Sequence, residues 1–353
     1  MNANRMPLID AFKAVGSQLI VLHHLAAYGP LAGAAQQVMP GTIGWFYDYA
    51  RIAVQVFLVV AGFLAARGMS PQGGALAGSP WPLIARRYLR LAIPYFVAIA
   101  LAVAGAALAD VWMDDESIPA PPTLAQLAAH ALLLQSVLGF DSLSAGLWYI
   151  AIDFQLFALM TLLLWAGRLG GGAPALVLAM AAVALFWFNR NENLDNWAIY
   201  FFGSYGLGAA AWWTGDRQRP AAWLGVIAGV ALAALFIDFR LRIAVALAVA
   251  LALGLGRRSG LLELWPEWPV LAFLGRISYA LFLVHFPVCL LANALFVRLG
   301  LTAPGAAPAF MALAWAASIA VATLFYRWVE KPAASGRIAA ALGLATGKAK
   351  RQP

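Results

Sequence analysis

The first residues in this chain that could do chemistry together are a lysine and a histidine on one apolar stretch. Residues 8–28, LIDAFKAVGSQLIVLHHLAAY, carry Lys13 and His24 eleven positions apart, with Asp10 near the same stripe. On an ideal helix the two side chains lie within ~20° of one face and ~16 Å apart along the axis. A charge at mid-membrane costs ~2.5–3.5 kcal/mol even on a lenient scale, so such residues normally face a protein interior or an aqueous cavity. This stretch therefore predicts the wall of an intramembrane site.

Five other stretches combine apolar runs with residues that could serve such a site. They are 56–67 with Gly62, 85–96 with Arg86, Arg87, Arg90 and a helix-kinking Pro94, 146–157 with Asp153, 274–288 with Ser278 and His285, and 326–332 with Glu330. Arg87 and Arg90 are three residues apart and share a helix face, and Ser278 and His285 lie two turns apart on another. Gly62 allows a second helix to approach closely.

Each of these residues also has a structural interpretation. The arginines that open a span can be topology determinants, and Asp153 can be one half of an ion pair. His285 can be an interhelical hydrogen-bonding residue, and Glu330 beside Lys331 a contact at a helix end. His23 and His130 are expected to be structural or interfacial, and the single cysteine, Cys289, excludes an intramolecular disulfide and a cysteine-based metal site.

The composition predicts an all-α polytopic membrane protein. Of 353 residues 63% are hydrophobic and only 11% are charged, against about 25% charged in soluble domains. Ten apolar stretches have about the length needed to cross a bilayer. They are 8–28, 43–66, 85–109, 147–167, 173–189, 197–214, 220–237, 241–256, 270–297 and 306–328. The stretch 123–140 is short and contains Gln126, His130 and Gln135, and we predict an interfacial or re-entrant helix there.

The distribution of basic residues predicts the orientation of the spans. With ten spans and a cytoplasmic N-terminus, most arginines and lysines fall on the cytoplasmic side, as the positive-inside rule requires. The C-terminus is then cytoplasmic too, and His24 lies toward the outer face. The net charge of +8 belongs to loops and tail that meet lipid headgroups, and nucleic acid is not an expected partner. We predict one transmembrane domain, 1–343, and a basic, disordered tail, 344–353.

Taken together, these stretches resemble the acyltransferase-3 family of bacterial multi-span membrane proteins, in the family's order along the chain. The family's first-span pattern of a basic residue, ten residues and a histidine is matched by Lys13 and His24, with Asp10 in the accompanying position. The other similar segments are VFLVVAGFL at 56–64, the run of Arg86, Arg87, Arg90 and Pro94, LWYIAIDFQLF at 147–157, LGRISYALFLVHFP at 274–287 and VEKP at 329–332.

Three departures from the family pattern matter. Ala61 replaces a serine, Asp153 replaces a glutamate, and Lys13 stands where arginine is commoner. The aspartate retracts the carboxylate by one methylene, and the lysine offers a point charge in place of a planar fork. The alanine carries no hydroxyl, so a role for the family's serine cannot be carried over to this chain.

The resemblance implies an enzyme of the bacterial inner membrane that moves an acyl group, most commonly acetyl, from cytoplasmic acyl-CoA to an extracytoplasmic glycan or glycolipid. Acyl-CoA is the donor substrate, and neither a tightly bound cofactor nor a metal is expected. The expected donor and substrate contacts are Lys13, Arg86, Arg87, Arg90, Ser278 and His285. His24 is expected to act as a general base or a transient acyl carrier, and Asp153 to orient it.

Two other classes of function remain open. A transporter also has many spans, polar midplane residues and kinked helices, although no duplicated half is detectable here. A non-catalytic scaffold of a glycan-export complex would leave the Lys13–His24 stripe unexplained. The polar loop 189–197 could contact a sugar, and a separate glycan-modifying protein is a further partner left open.

Overall fold

A computed structural model describes residues 5–170, 172–301, 303 and 305–334, and the predicted tail 344–353 lies outside them. In this part of the chain all regular structure is helical. The helices are α1 (Pro7–Ala27), α2 (Gly29–Val38), α3 (Pro40–Tyr49), α4 (Val54–Met69), α5 (Trp81–Asp110), α6 (Leu124–Ala131), α7 (Leu147–Ala166), α8 (Ala173–Phe186), α9 (Ala198–Thr214), α10 (Ala222–Ile237), α11 (Leu241–Ser259), α12 (Leu261–Leu264), α13 (Pro269–Leu299), α14 (Ala306–Phe325) and α15 (Lys331–Ala334). Short 3₁₀ turns occupy Ala50–Ala53, Gly167–Leu169, Phe188–Arg190 and Glu192–Leu194, and Tyr326–Glu330 form a π-helical turn.

Several helices are long and apolar enough to cross a membrane, which fits a multi-pass membrane protein. Among the described residues there are six: Pro40–Met69, Trp81–Asp110, Leu147–Leu169, Ala173–Arg190, Pro269–Leu299 and Ala306–Ala333. The predicted count of ten spans is not confirmed. Two of the other predicted spans, α9 and α10, have only 17 and 16 residues. The remaining two, α1 and α11, carry charged side chains that lower their hydropathy.

The stretch 123–140 contains only the eight-residue helix α6, which is too short to cross a bilayer. Thr123 caps it by accepting a hydrogen bond from the Gln126 amide. His130 closes the turn that follows, because its Nε2 accepts from the Leu143 amide at 3.2 Å while its Nδ1 lies 2.9 Å from the Gln126 carbonyl oxygen. Burial lowers the pKa of His130. This histidine therefore has a structural role.

Helices α4 and α9 pack with their backbones in close contact because glycines meet at the crossing. A methyl group on Gly62 would overlap the carbonyl oxygen of Tyr205, and one on Gly208 would overlap that of Val59. Beside this contact the Ser204 hydroxyl donates to the Gln55 side-chain oxygen at 2.6 Å, so the two helices also share a buried hydrogen bond. Small residues at a helix crossing and one interhelical polar pair are the usual way in which membrane helices associate.

The close crossing predicts that Gly62→Ala destabilises the protein. The added methyl group would overlap backbone atoms of α9, and no side-chain rotation relieves that overlap. Helices α4 and α9 must therefore separate, which lowers the free energy of unfolding by about 3 kcal/mol. The same substitution at Gly68 in α4 meets nothing within 4 Å, and we expect it to be neutral or slightly stabilising. Thermal unfolding of both variants in detergent measures the difference, and equal midpoints would contradict the packing described.

Helix α13 lies at the centre of the bundle and is the main partner of α1. It also contacts α5 and α14. A methyl group on Gly275 would overlap the Asp10 carbonyl oxygen, so the backbones of α1 and α13 nearly touch near the start of both helices. This contact brings the polar residues of the two helices to a common level in the bundle.

The other end of α1 is anchored by a buried asparagine of α13. Asn293 Oδ1 accepts from the Leu31 amide at 2.8 Å, and its Nδ2 donates to the carbonyl oxygens of Cys289 and Tyr28, at 2.9 and 3.3 Å. Gly29 adopts a φ of 79° beside this amide, where a side chain would overlap it. The chain can therefore turn from α1 into α2 only in this way, and Tyr28 is held at the turn.

Candidate active site

Six helices and the π-helical turn contribute side chains to a cavity of about 420 Å³ inside the bundle. Its basic lining residues are Lys13 from α1, Arg87 and Arg90 from α5, and Arg276 from α13. Its acidic lining residues are Asp153 from α7 and Glu330 from the π-helical turn. We call it the basic cavity. Such a concave site, with more cations than carboxylates, suits an anionic ligand.

The deeper charges of the basic cavity form a buried ion pair between α5 and α7. Arg87 Nη2 donates to Asp153 Oδ2, and the Arg87 guanidinium lies over the ring of Phe157, 5.3 Å from its centre. The Asp153 side chain is 8% exposed. A carboxylate removed from water needs such a partner, and the arginine fork supplies it. The main partner of Arg87 is therefore Asp153.

A second cavity, of about 410 Å³, continues from the basic cavity toward the N-terminal end of α1. The two cavities share Lys13, Arg90, Arg276 and Glu330 in their walls. The second adds Arg5, Asp10, Tyr326 and Lys331. We call it the vestibule. Its outermost charges are already paired, because Arg5 contacts Asp10 at 3.1 Å and also Glu267. Arg90 and Arg276, in contrast, stand at the junction of two cavities.

Glu330 lies in the cavity walls, which differs from the prediction of a surface contact beside Lys331. The difference arises at the end of α14, where one π-helical turn replaces the α-helical spacing and carries Tyr326–Glu330 past α5 and α13. Single π-helical turns often occur at functional sites. Among the described residues, Glu330 Oε2 is buried without a hydrogen-bond partner.

Near the other end of α1, His24 meets His285 of α13. The two imidazole centres are 4.8 Å apart in an edge-to-face arrangement, and the His24 ring also stacks on the Tyr28 ring with the centres 5.5 Å apart. His24 is 8% exposed and His285 is fully buried. His285 Nδ1 lies 2.9 Å from the Leu281 carbonyl oxygen, which can only accept, so that nitrogen carries the proton. Within the described structure, His285 Nε2 and His24 Nδ1 have no hydrogen-bond partner.

Aromatic rings stand between the basic cavity and the histidine pair. Phe57, Tyr149 and Phe282 contact one another with ring centres 5.0 to 6.2 Å apart, and all three line the basic cavity. Phe282 also contacts His285 at 6.1 Å. We call these three residues the aromatic layer. The aromatic layer explains why Lys13 lines the basic cavity while His24 does not, although both residues lie on α1.

The structure does not bring Asp153 and His24 together, although the sequence predicted a contact between them. Asp153 is held by Arg87 on the cavity side of the aromatic layer, and the nearest polar ring to His24 is that of His285. The sequence placed Asp153 toward the outer half from its position in the span, but α7 presents this residue to α5 instead. His285 occupies the place beside His24 that was predicted for the carboxylate.

The other predicted residues divide between the cavity and the scaffold. Ser278 lines the basic cavity, and its hydroxyl donates to the Gly275 carbonyl oxygen at 2.9 Å. Arg86 is exposed, donates to the Pro82 carbonyl oxygen at 3.0 Å and does not line the cavity, because it precedes Arg87 by one residue and so points about 100° away on the helix. Pro94 is buried within α5.

Two predicted polar groups serve the scaffold. Asp10 is paired with Arg5 and lines only the vestibule. In the loop 189–197, Asn189 is buried and hydrogen-bonded to the Tyr200 carbonyl oxygen and to Arg240, so its amide is not available to a sugar. The exposed residues of that loop line none of the cavities described here.

The sequence alone did not indicate four residues of the basic cavity. Arg276 stands in the LGRISYALFLVHFP segment, and its position two residues before Ser278 on an apolar helix could have indicated an inward charge. Tyr149, Tyr205 and Tyr279 also line the cavity. Tyrosines in membrane helices are ordinarily attributed to the lipid interface, so only their packing reveals this position.

Comparison with known proteins indicates the family of the chain. The model of a family described as an acyltransferase domain, acyltransferase-3, matches residues 7–327. An alignment 166 positions long is 24% identical to a protein named regulator of hypoxia-inducible factor 1 from Caenorhabditis elegans, and it covers 44% of this chain and 33% of that protein. The chain thus spans about a third of that curated relative. No solved structure matches the chain.

Proposed function

The chain belongs to the acyltransferase-3 family of membrane acyltransferases, and we propose that it moves an acyl group from cytoplasmic acyl-CoA to a hydroxyl of an extracytoplasmic glycan or glycolipid. One observation carries the proposal: α1 connects two chemically different sites. Its Lys13 lines the basic cavity, and its His24 belongs to the buried histidine pair. Acyl transfer from acyl-CoA needs a site that binds the anionic donor and a base that accepts the proton of the acceptor hydroxyl. Acetyl is the proposed acyl group, and no tightly bound cofactor is required.

The proposed donor site is the vestibule together with the basic cavity. The phosphates of acyl-CoA would bind Arg90 and Arg276, whose planar forks suit phosphate oxygens, with Lys13 as a further positive charge. Arg87 contributes positive potential although Asp153 neutralises much of it. The pantetheine arm then extends along α1 toward the aromatic layer. The side chain of Phe282, which contacts both the cavity and His285, would have to rotate for the thioester to reach His24.

In the proposed reaction His24 accepts the proton of the acceptor hydroxyl as its oxygen attacks the thioester carbonyl carbon. Collapse of the tetrahedral intermediate breaks the carbon–sulfur bond, and the sulfur leaves with the proton that His24 returns. The products are an ester and free CoA. In the covalent alternative a His24 nitrogen attacks the carbonyl carbon, the carbon–sulfur bond breaks, and CoA leaves with the imidazole proton. The acceptor hydroxyl then attacks the acyl-imidazole, which breaks the carbon–nitrogen bond and returns the hydroxyl proton to His24. His285, protonated at Nδ1 and open at Nε2, is the proposed positioning residue beside His24.

The proposed location is the bacterial inner membrane, with the vestibule and both termini on the cytoplasmic side. The excess of arginine and lysine at that end of the predicted spans supports this orientation. We further propose that α1, α9, α10 and α11 also cross the bilayer, because they pack among the six longer spans. Membrane lipid and the glycan acceptor are the proposed partners, with a separate glycan-modifying protein as a further one.

The donor site predicts a binding defect for Arg276→Gln. Removing one phosphate contact should raise the KM for acetyl-CoA about tenfold and leave kcat within about twofold, since the charge acts on the bound ground state and transition state alike. Arg86→Gln makes the same change on an arginine outside the cavity and should leave the KM unchanged. Steady-state CoA release measures both. An equal rise in KM for the two variants would contradict the assignment.

The proposal is tested by supplying acetyl-CoA, labelled in the acetyl group, to purified protein in liposomes. An acyltransferase releases free CoA and leaves the label on another molecule or in solution as acetate. A transporter would deliver intact labelled acetyl-CoA to the opposite compartment, and a scaffold would do neither. Intact acetyl-CoA inside the liposomes without CoA release would overturn the enzyme assignment in favour of the transporter.

A further inference from the structure

The structure contains a third cavity, at the end of α1 opposite the vestibule. Its volume is about 860 Å³, and its walls come from Ala26–Gly29 at the α1–α2 turn, from α2, from α3 and from the segment that follows α5. Along α1, His24 lies between Lys13 and this end of the helix. A cavity of this size can hold a ligand of several sugar units.

The charged lining of this cavity is acidic. Asp48, Asp115 and Glu116 contribute to its wall, and none of the described lining residues is lysine, arginine or histidine. No ion pair joins these three carboxylates to a base in the part of the chain that the structure describes. We call this third cavity the acidic cavity.

The carboxylates are not arranged to hold a metal ion. Within the described residues no three histidine, cysteine, aspartate or glutamate side chains are grouped as a metal would need. The remaining lining is suited to an organic polar ligand, with the rings of Tyr28 and Tyr47 and the amide of Gln36. Carboxylate and amide oxygens accept hydrogen bonds from hydroxyl and amine groups.

The acidic cavity lies directly beside the histidine pair. Tyr28 lines the cavity, and its ring stacks on His24 with the centres 5.5 Å apart. His24 is 8% exposed, and its Nδ1 has no hydrogen-bond partner among the described residues. Tyr28 thus belongs both to the cavity wall and to the surroundings of His24. The anchored turn at Asn293 holds Tyr28 in this position.

We propose that the acidic cavity is the acceptor site and that it selects sugars by charge, taking neutral or amine-bearing sugars and rejecting those with carboxylate or phosphate groups. This inference rests on the proposed acyl transfer. An anionic sugar would meet three carboxylates that have no ion-pair partner among the described residues, and like charges at a binding site oppose binding. The protein thus separates its substrates electrostatically: the anionic donor enters at the basic end of α1 and an acceptor without negative charge at the acidic end.

The test compares three probes of equal length, the tetramers of N-acetylglucosamine, glucosamine and galacturonic acid, as accelerators of CoA release by the purified full chain. The neutral and amine-bearing tetramers should accelerate release at least about tenfold more than the anionic one, which corresponds to about 1.4 kcal/mol. This preference should weaken as salt is raised, because the carboxylates are partly exposed.

A triple variant, Asp48→Asn, Asp115→Asn and Glu116→Gln, should reduce the preference to within about threefold. A matched triple, Asp114→Asn, Glu192→Gln and Asp195→Asn, removes the same charge from exposed positions outside the cavity and should keep the wild-type preference. If all three tetramers accelerate CoA release equally, or if none of them does, the inference is overturned. An undiminished preference in the triple variant of the acidic cavity would overturn it too. Loss of acceptor-independent CoA release would instead contradict the proposed function, so the two failures are distinguishable.

Discussion

Replacing His24 with alanine is expected to abolish acyl transfer while the protein still folds. The imidazole is the proton acceptor in the proposed reaction, and general bases contribute about 10²- to 10⁴-fold to a rate. We therefore expect CoA release to fall by at least about 100-fold. His24 packs between His285 and Tyr28, so the alanine leaves a small cavity beside α13 but removes no ion pair. The unfolding midpoint and the elution profile in detergent check that the fold is kept.

The neighbouring residue supplies a matched control for this substitution. His23 lies on the same turn of α1, but its Nδ1 is 3.2 Å from the Phe46 carbonyl oxygen and its ring contacts Tyr47. The His23 ring also contacts His24, with the centres 5.1 Å apart, but His23→Ala leaves the His24–His285 pair in place and should keep most of the wild-type rate. If His24→Ala kept that rate, or if both variants lost it equally, His24 could not be the proton acceptor.

The second large effect is expected at the buried ion pair of the basic cavity. Asp153→Asn leaves the Arg87 guanidinium without its counter-charge between α5 and α7, and breaking one half of a buried pair costs about 3 kcal/mol or more. The variant should unfold at a lower temperature and release CoA at least about tenfold more slowly, because Arg87 and its neighbours line the donor cavity. Thermal unfolding and CoA release measure the two effects separately.

Two further variants separate the structural effect from the chemical one. The double variant Arg87→Met, Asp153→Leu removes both charges and should recover most of the lost stability without recovering the rate. Arg190→Gln breaks an exposed pair with Asp238 and should cost less than about 1 kcal/mol. Asp153→Asn with wild-type stability would show that the pair is not a structural element. If the double variant released CoA at the wild-type rate, neither residue would contribute to the donor site.

Periodicity along single helices was enough to predict several parts of the site. The three-residue spacing of Arg87 and Arg90 places both in one cavity wall, and the seven-residue spacing of Ser278 and His285 gives α13 two polar levels. Gly62 lies at a backbone crossing. These properties depend on helical geometry alone, so they can be read from one segment at a time.

The relations between helices could not be predicted in this way. Asp153 was expected at His24, yet α7 turns it toward Arg87, because the partner of a buried charge is decided by which helices pack together. Likewise the aromatic layer separates Lys13 from His24 although one helix carries both, since Phe57, Tyr149 and Phe282 come from three other helices. The π-helical turn that brings Glu330 into the cavity interrupts the α-helical spacing on which the prediction relied.

The most direct test of the account is a structure of the protein with a non-reactive acetyl-CoA analogue, in which a methylene group replaces the thioester sulfur. We expect the phosphates of the analogue within hydrogen-bonding distance of Arg90 and Arg276, and its acyl end along α1 toward His24, with the Phe282 ring displaced. An analogue bound in the acidic cavity, or one whose phosphates contact neither arginine, would contradict it.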